Sequence, residues 1–112
     1  LVYYSLKIAK KNGSLNFYWN MKDFKNVTFK ISDDIALSEL NDESIALNLD
    51  SGKYFQLNEL ATFIFKNLEN FTSIDNLKKN VLEEFDVSHE DCEVDILNFL
   101  AKLNEEKLLD FH

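Results

Sequence analysis

Few residues in this chain could do chemistry. His89 and Cys92 stand three apart with Glu90 and Asp91 between them, a spacing that gathers metal-ligating and nucleophilic types within one turn of a helix. A zinc site needs three or four convergent ligands, and the chain offers one Cys and two His in total. A Cys–His nucleophile pair needs a third group to orient the base, and none stands nearby. His89 therefore reads as a solvated residue in a helix's first turn, Cys92 as a small buried apolar group, and the terminal His112 as frayed. Gly13 and Gly52 are the two glycines, too few for a phosphate loop or a dinucleotide fingerprint. The paired acids Glu83–Glu84 and Glu105–Glu106 read as solvated helix faces, and Phe63, Phe65, Phe85 and Phe99 as core. The expectation is no catalytic residue, no metal and no cofactor.

Charge narrows the partners. The basic residues are twelve Lys with no Arg, against twenty acids, for a net charge of −8. Nucleic-acid affinity rests on neutralising phosphates, and guanine readout favours Arg, so nucleic acid is not an expected partner. The charge is uneven: residues 1–20 hold three Lys and no acid, and the remainder carries −11. A basic, aromatic segment ahead of an acidic domain implies attraction between the two, or a basic partner. With one cysteine no internal disulfide forms and nothing argues for secretion. No apolar run approaches the roughly 20 residues that span a bilayer. Lys7, Lys10 and Lys11 break the apolar stretch that a signal peptide would need. No membrane association is expected, and the expected compartment is the cytoplasm.

The elements that would position a binding site are better marked. At 112 residues, 46% apolar with ten Phe, the chain can bury one small core. Asn12-Gly13 predicts a hairpin within residues 1–20, with Ile8 opposite Phe17 and Leu6 opposite Trp19. Those residues read either as an upstream extension or as a fused segment, and residues 21–112 as the domain proper. Phe24–Ile31 and Ile35–Leu40 are strand candidates. Ser44–Leu49 is a strand with Ile45, Leu47 and Leu49 on one face. A three-residue loop Asp50–Gly52 would set Leu47 opposite Phe55 and Ile45 opposite Leu57, with Phe55 and Leu57 facing inward. Asn58 caps a helix over Glu59–Glu69. Thr72 or Ser73 caps a second over Ile74–Phe85. Ser88 opens a third that runs to about Lys107, with acids in its first turn and Lys in its last. Leu108–Phe111 is a short apolar tail.

In that order, ESIALNLDSGKYFQLNELATFIFKNLE reads as an aliphatic strand, a short Gly turn, a Tyr/Phe strand, a Leu-Asn step and a helix. TSIDNLKKNVLEEFDVSHEDCEVDILNFLAKLNEEKLL supplies two more helices, an F-D-V junction and a closing double Leu. From Ile31 to Phe111 the chain resembles the pyrroloquinoline-quinone biosynthesis protein D (PqqD) family, also called RiPP recognition elements. The resemblance implies an α+β, winged-helix-like fold, with a three-stranded antiparallel sheet followed by three helices and here an extra N-terminal β-hairpin. It implies a non-catalytic peptide chaperone. The family takes the leader of a ribosomally made precursor peptide as an added strand, in a cleft between the third strand and the third helix. It presents that peptide to a modifying enzyme such as a radical-SAM protein, a cyclase or a protease.

Carried onto this sequence, the peptide-binding strand is Lys53, Tyr54, Phe55, Gln56 and Leu57. The facing helix positions are Asp91, Val94, Asp95, Asn98 and Lys102, spaced three or four apart along one stripe. Acids there suit a leader carrying Lys or Arg. Residues 1–20 have no counterpart in the family. They are expected either to sit in the cleft, in cis or from a neighbouring copy, or to add strands that cover a sheet edge. An open edge can also pair with itself, which makes a homodimer an expectation. Two other functions compete: a winged-helix DNA-binding regulator and a purely structural enzyme-docking module. The stretch 88–107 has six acids against two Lys, the wrong sign for a DNA-recognition helix.

Overall fold

The structure is a computed structural model that describes residues 2–4, as backbone, and 24–112. The main sheet is antiparallel and built from β3 (Ile35–Leu40), β4 (Glu43–Asn48) and β5 (Tyr54–Leu57). A fourth strand, β1 (Val2–Tyr4), lies parallel to β5, so the order is β1-β5-β4-β3. Three helices follow: α1 (Glu59–Lys66), α2 (Ile74–Glu84) and α3 (His89–Glu105). The fold is the expected α+β arrangement. The hairpin predicted about Asn12-Gly13 lies outside the described residues.

The β4–β5 register differs from expectation. Ala46 stands opposite Phe55 and Ser44 opposite Leu57, so β4 turns Ser44, Ala46 and Asn48 inward and leaves Ile45 and Leu49 exposed. The cause is Asn48. Its Oδ1 accepts from the N–H groups of Asp50 and Ser51 at 3.0 and 3.3 Å, a side-chain turn that starts the loop before Asp50. Asn48 also pairs with Lys53 (N–H to O, 2.9 Å), and Gly52, at φ 75°, donates back to the Asn48 carbonyl at 2.8 Å. The loop thus holds four residues, and the one-residue change reverses the face of every β4 side chain. Small residues on the inner face let α1 approach: Ser44 Oγ lies 2.7 Å from Thr62 Oγ1. Phe55 and Leu57 face inward as expected, at 1% and 0% exposure.

All three helices start at expected caps. Asn58, Ser73 and Ser88 accept from the N–H groups of Ala61, Asn76 and Asp91. Helix α1 stops at Lys66, earlier than expected, because Asn67 Nδ2 donates to the Phe63 carbonyl at 2.8 Å and the Leu68 carbonyl accepts instead from Ile31 N–H. Phe24 has helical backbone, and Asn26 in the left-handed region (φ 63°) ends that turn, so the strand expected over Phe24–Ile31 shrinks to β2 (Phe29–Ile31). Strand β2 pairs with β6 (Leu109–Phe111), which turns the expected apolar tail into half of a two-stranded ribbon. Phe24, Phe29 and Phe111 cluster at its end with ring centroids 5.5–6.3 Å apart, Phe24 stacked on Phe111 and Phe29 edge-on to both. The core lies between the main sheet's inner face and the helices, around Phe55, Leu57, Ile64, Ile96, Phe99 and Leu103.

Candidate functional site: the edge of strand β5

Hydrogen-bond alternation decides what β5 can offer a partner. Asn48 and Lys53 form a bonded pair, so in this antiparallel ladder Ala46–Phe55 and Ser44–Leu57 are bonded pairs too. The intervening residues, Tyr54 and Gln56, turn their backbone N–H and C=O groups away from β4, toward the outer edge. That edge is where β1 lies, with Val2 opposite Phe55, Tyr3 opposite Gln56 and Tyr4 opposite Leu57. The first residues of the chain are thus paired in cis with the strand expected to bind a guest.

The predicted strand residues divide into two roles. Phe55 and Leu57 are core side chains, and what they bring to the edge is a fixed backbone. Thr62 Oγ1 donates to the Leu57 carbonyl at 3.3 Å and accepts from Ser44, which ties the end of β5 to α1. Tyr54 (50% exposed) and Gln56 stand on the sheet's outer face, beside Leu47 and Ile45. Lys53 is exposed and pairs with Glu106 at 3.2 Å, linking the start of β5 to the C-terminus of α3. A solvated pair of this kind orients more than it stabilises.

On α3, Val94 and Asn98 are half-buried, Asp95 is buried, Asp91 lies in the first turn and Lys102 is exposed. Asp95 and Asn98 are both engaged in interactions within the folded chain. The helix ends in a Schellman turn: Leu108 N–H bonds the Leu103 carbonyl, Lys107 N–H bonds that of Asn104, and Lys107 takes φ 59°. Leu103 and Leu108 are fully buried beside it. This turn sets where Glu106, and so Lys53, sits.

Sequence reasoning did not foresee the apolar outer face of the sheet. Ile45, Leu47 and Tyr54 lie there, with Leu40 (77% exposed) at the β3–β4 turn. A groove of about 590 Å³ at that turn brings Asp42, Glu43 and Glu59 around Ile45 and Gln56. The alternation Ile45-x-Leu47-x-Leu49 marks an apolar face, and alternation alone does not say which side of the sheet that face meets.

The His89–Cys92 cluster does not form a reactive site. Cys92 is 2% exposed, and its Sγ lies 3.9 Å from the Lys78 carbonyl oxygen. Burial pushes its thiol up to about 11 against the opposing pull of the Lys78 ammonium, so at neutral pH it is a thiol and a poor nucleophile. Among the described residues no group of three or more His, Cys, Asp or Glu is placed to hold a metal ion. No helix among them is long and apolar enough to cross a membrane.

The sequence matches the family described as Coenzyme PQQ synthesis protein D (PqqD) over residues 43–109, more than half of the chain. The chain belongs to the PqqD family. Two solved structures resemble this PqqD-family chain. One, "TbiB1 in Complex with the TbiA(beta) Leader Peptide", is 30% identical with a TM-score of 0.67, over 72% of this chain and 94% of that one. The other, "Lasso peptide synthetase B1 complexed with the leader peptide", is 26% identical with a TM-score of 0.64, over 73% of this chain and 96% of that one. No curated protein matches the chain. The matched stretch starts at β4 and ends in β6, so it contains β5, all three helices and the Schellman turn.

Proposed function

We propose that this PqqD-family chain is a non-catalytic peptide chaperone. It binds the leader of a ribosomally made precursor peptide as a strand added to β5 and presents it to a modifying enzyme. The observation that carries this reading is the outward-turned backbone of Tyr54 and Gln56, held rigid by the buried Phe55 and Leu57, on an edge that accepts a strand. Backbone hydrogen bonds there supply affinity, and alternate side chains supply specificity. The leader-peptide complexes of the two similar structures support the same partner class. Residues 21–112 form the binding domain, working in the cytoplasm. Asp91, Val94, Asp95, Asn98 and Lys102 form the helix side of the site, with Asp91 answering basic residues of the leader and the buried Asp95 held within the fold. The modifying enzyme, of radical-SAM, cyclase or protease type, has the apolar outer face of the sheet available to it.

The test uses labelled short peptides encoded beside this chain's own gene. One of them should bind with micromolar affinity or tighter by fluorescence anisotropy. Gln56→Pro removes a donor that faces the guest and spares the β4–β5 ladder, and proline is tolerated at an edge in that position. It should abolish binding while circular dichroism stays native. Binding unchanged in a folded Gln56→Pro chain would remove β5 as the site, and binding of none of the neighbouring peptides would sink the chaperone reading.

A further inference from the structure

We infer that Val2–Tyr4 is a built-in competitor for the leader's place, so that a guest peptide must displace the chain's own first strand before it can pair with β5. The inference rests on the chaperone reading and adds a regulation to it. Three observations lead here. Val2, Tyr3 and Tyr4 stand in register with Phe55, Gln56 and Leu57, the strand on which the site is built. They cover the one edge of β5 not taken by β4. By ladder alternation they meet the outward N–H and C=O groups of Gln56, the groups a guest strand would need.

Charge and connectivity hold the competitor near. Residues 1–20 carry three Lys and no acid, against −11 in the rest of the chain. Being covalently attached, the segment re-pairs at a high effective concentration. Three residues make a short ladder, so release is within reach of a longer guest, which adds contacts beyond the three pairs. The occupant runs parallel to β5, a slightly weaker pairing per residue than an antiparallel one. A guest entering antiparallel would gain on it by direction as well as by length. If the edge is closed nine-tenths of the time, the apparent dissociation constant for a guest rises roughly tenfold over that of the open chain.

The test uses the full chain. Tyr3 and Gln56 face each other across the two strands, and neighbouring strands lie close enough for a disulfide. The double variant Y3C/Q56C should form an intramolecular disulfide under mild oxidation and stay a monomer, while either single variant should not. The buried Cys92 thiol should stay unreacted. The binding probe is a fluorescein-labelled synthetic peptide of residues 1–10, LVYYSLKIAK. It should bind the Tyr4→Pro chain, whose own strand has lost a backbone donor, about tenfold more tightly than the unmodified chain, and should not bind oxidised Y3C/Q56C until a reductant is added.

Failure to form the disulfide, or equal binding of the probe to the unmodified and Tyr4→Pro chains, would overturn the self-competition. A disulfide-linked dimer would overturn the cis arrangement and assign the strand to a second copy. The two readings separate cleanly. If no internal disulfide forms but a neighbouring peptide still binds and Gln56→Pro blocks it, the chaperone reading stands alone. If the disulfide forms and that peptide binds the oxidised chain as well as the reduced one, self-pairing stands and β5 is lost as the leader's edge.

Discussion

The antiparallel part of the sheet, β5-β4-β3, has two outer sides, and they are built to opposite ends. Strand β5 backs its edge with Phe55 and Leu57, both sunk in the core, and β1 lies along it. Strand β3 has only half-buried Ile35 and Leu37 behind it, and at the third inward position stands a charge, Glu39. Glu39 meets Lys66 of α1 at 3.2 Å. An inward-pointing charge on an edge strand discourages a second strand from docking. The β5 edge has no such guard in its four residues, YFQL. One edge is made to accept a strand and the other to refuse one.

The comparison breaks most easily in the core beneath the edges. Phe55→Ala should destabilise the chain by about 3–5 kcal/mol, the range for truncating a fully buried Phe. Leu37→Ala on β3, whose side chain is half-exposed, should cost about 1–2 kcal/mol by the same reckoning. Urea denaturation midpoints measure both. Equal losses would mean that β5 is no better anchored than β3, and the argument for a rigid accepting edge would fall.

The polar tie under β5 comes next. Ser44 donates to Thr62 Oγ1 at 2.7 Å, and Thr62 donates to the Leu57 carbonyl. Thr62→Val keeps the volume but strands a buried Ser44 hydroxyl, at a cost of about 1–3 kcal/mol. Adding Ser44→Ala should recover part of that loss, because both partners are then apolar. A double variant as unstable as the single one would show that the hydroxyl pair is not what holds the end of β5 to α1.

A smaller effect lies at the end of α3. Lys107 sits at φ 59°, where a non-glycine residue is strained. Lys107→Gly should raise stability by about 1 kcal/mol, read as an increase in melting temperature, because the Schellman bonds remain. A lower melting temperature would mean that the Lys107 side chain itself holds the turn that places Glu106 beside Lys53.

These sites differ in how far they were legible in the sequence. The caps at Asn58, Ser73 and Ser88 were readable because each satisfies N–H groups within three residues of itself. The inward facing of Phe55 and Leu57 was readable from alternation alone. The β4 face was not, because one Asn48 side chain moved the start of the turn, and the sheet's period of two converts that into a reversed face. The β2–β6 ribbon joins residues about eighty positions apart, and no local pattern announces such a pair. The charge and strand propensity of residues 1–20 point to a cis occupant. The parallel register of Val2–Tyr4 on β5 is long-range geometry that neither could supply. The role of Glu39 was hidden for the same reason, since its inward direction follows from pairing with Ser44 rather than from its own neighbours.

The smallest expected change in stability carries the sharpest test of the two edges. Glu39→Val removes a partly solvated ion pair, worth at most about 1 kcal/mol, and replaces it with a strand-favouring residue, so the monomer's unfolding midpoint should hardly move. Its association state should move instead. With Glu39 gone, the inward row of β3 reads Ile35, Leu37, Val, an apolar edge with nothing to turn a second strand away. Sedimentation across the micromolar-to-millimolar range should show concentration-dependent self-association stronger than that of the unmodified chain. Locking the β5 edge with the Y3C/Q56C disulfide should leave that association intact if it runs through β3. Its disappearance on locking would mean that the copies meet at β5, and that Glu39 is not the guard that distinguishes the two edges.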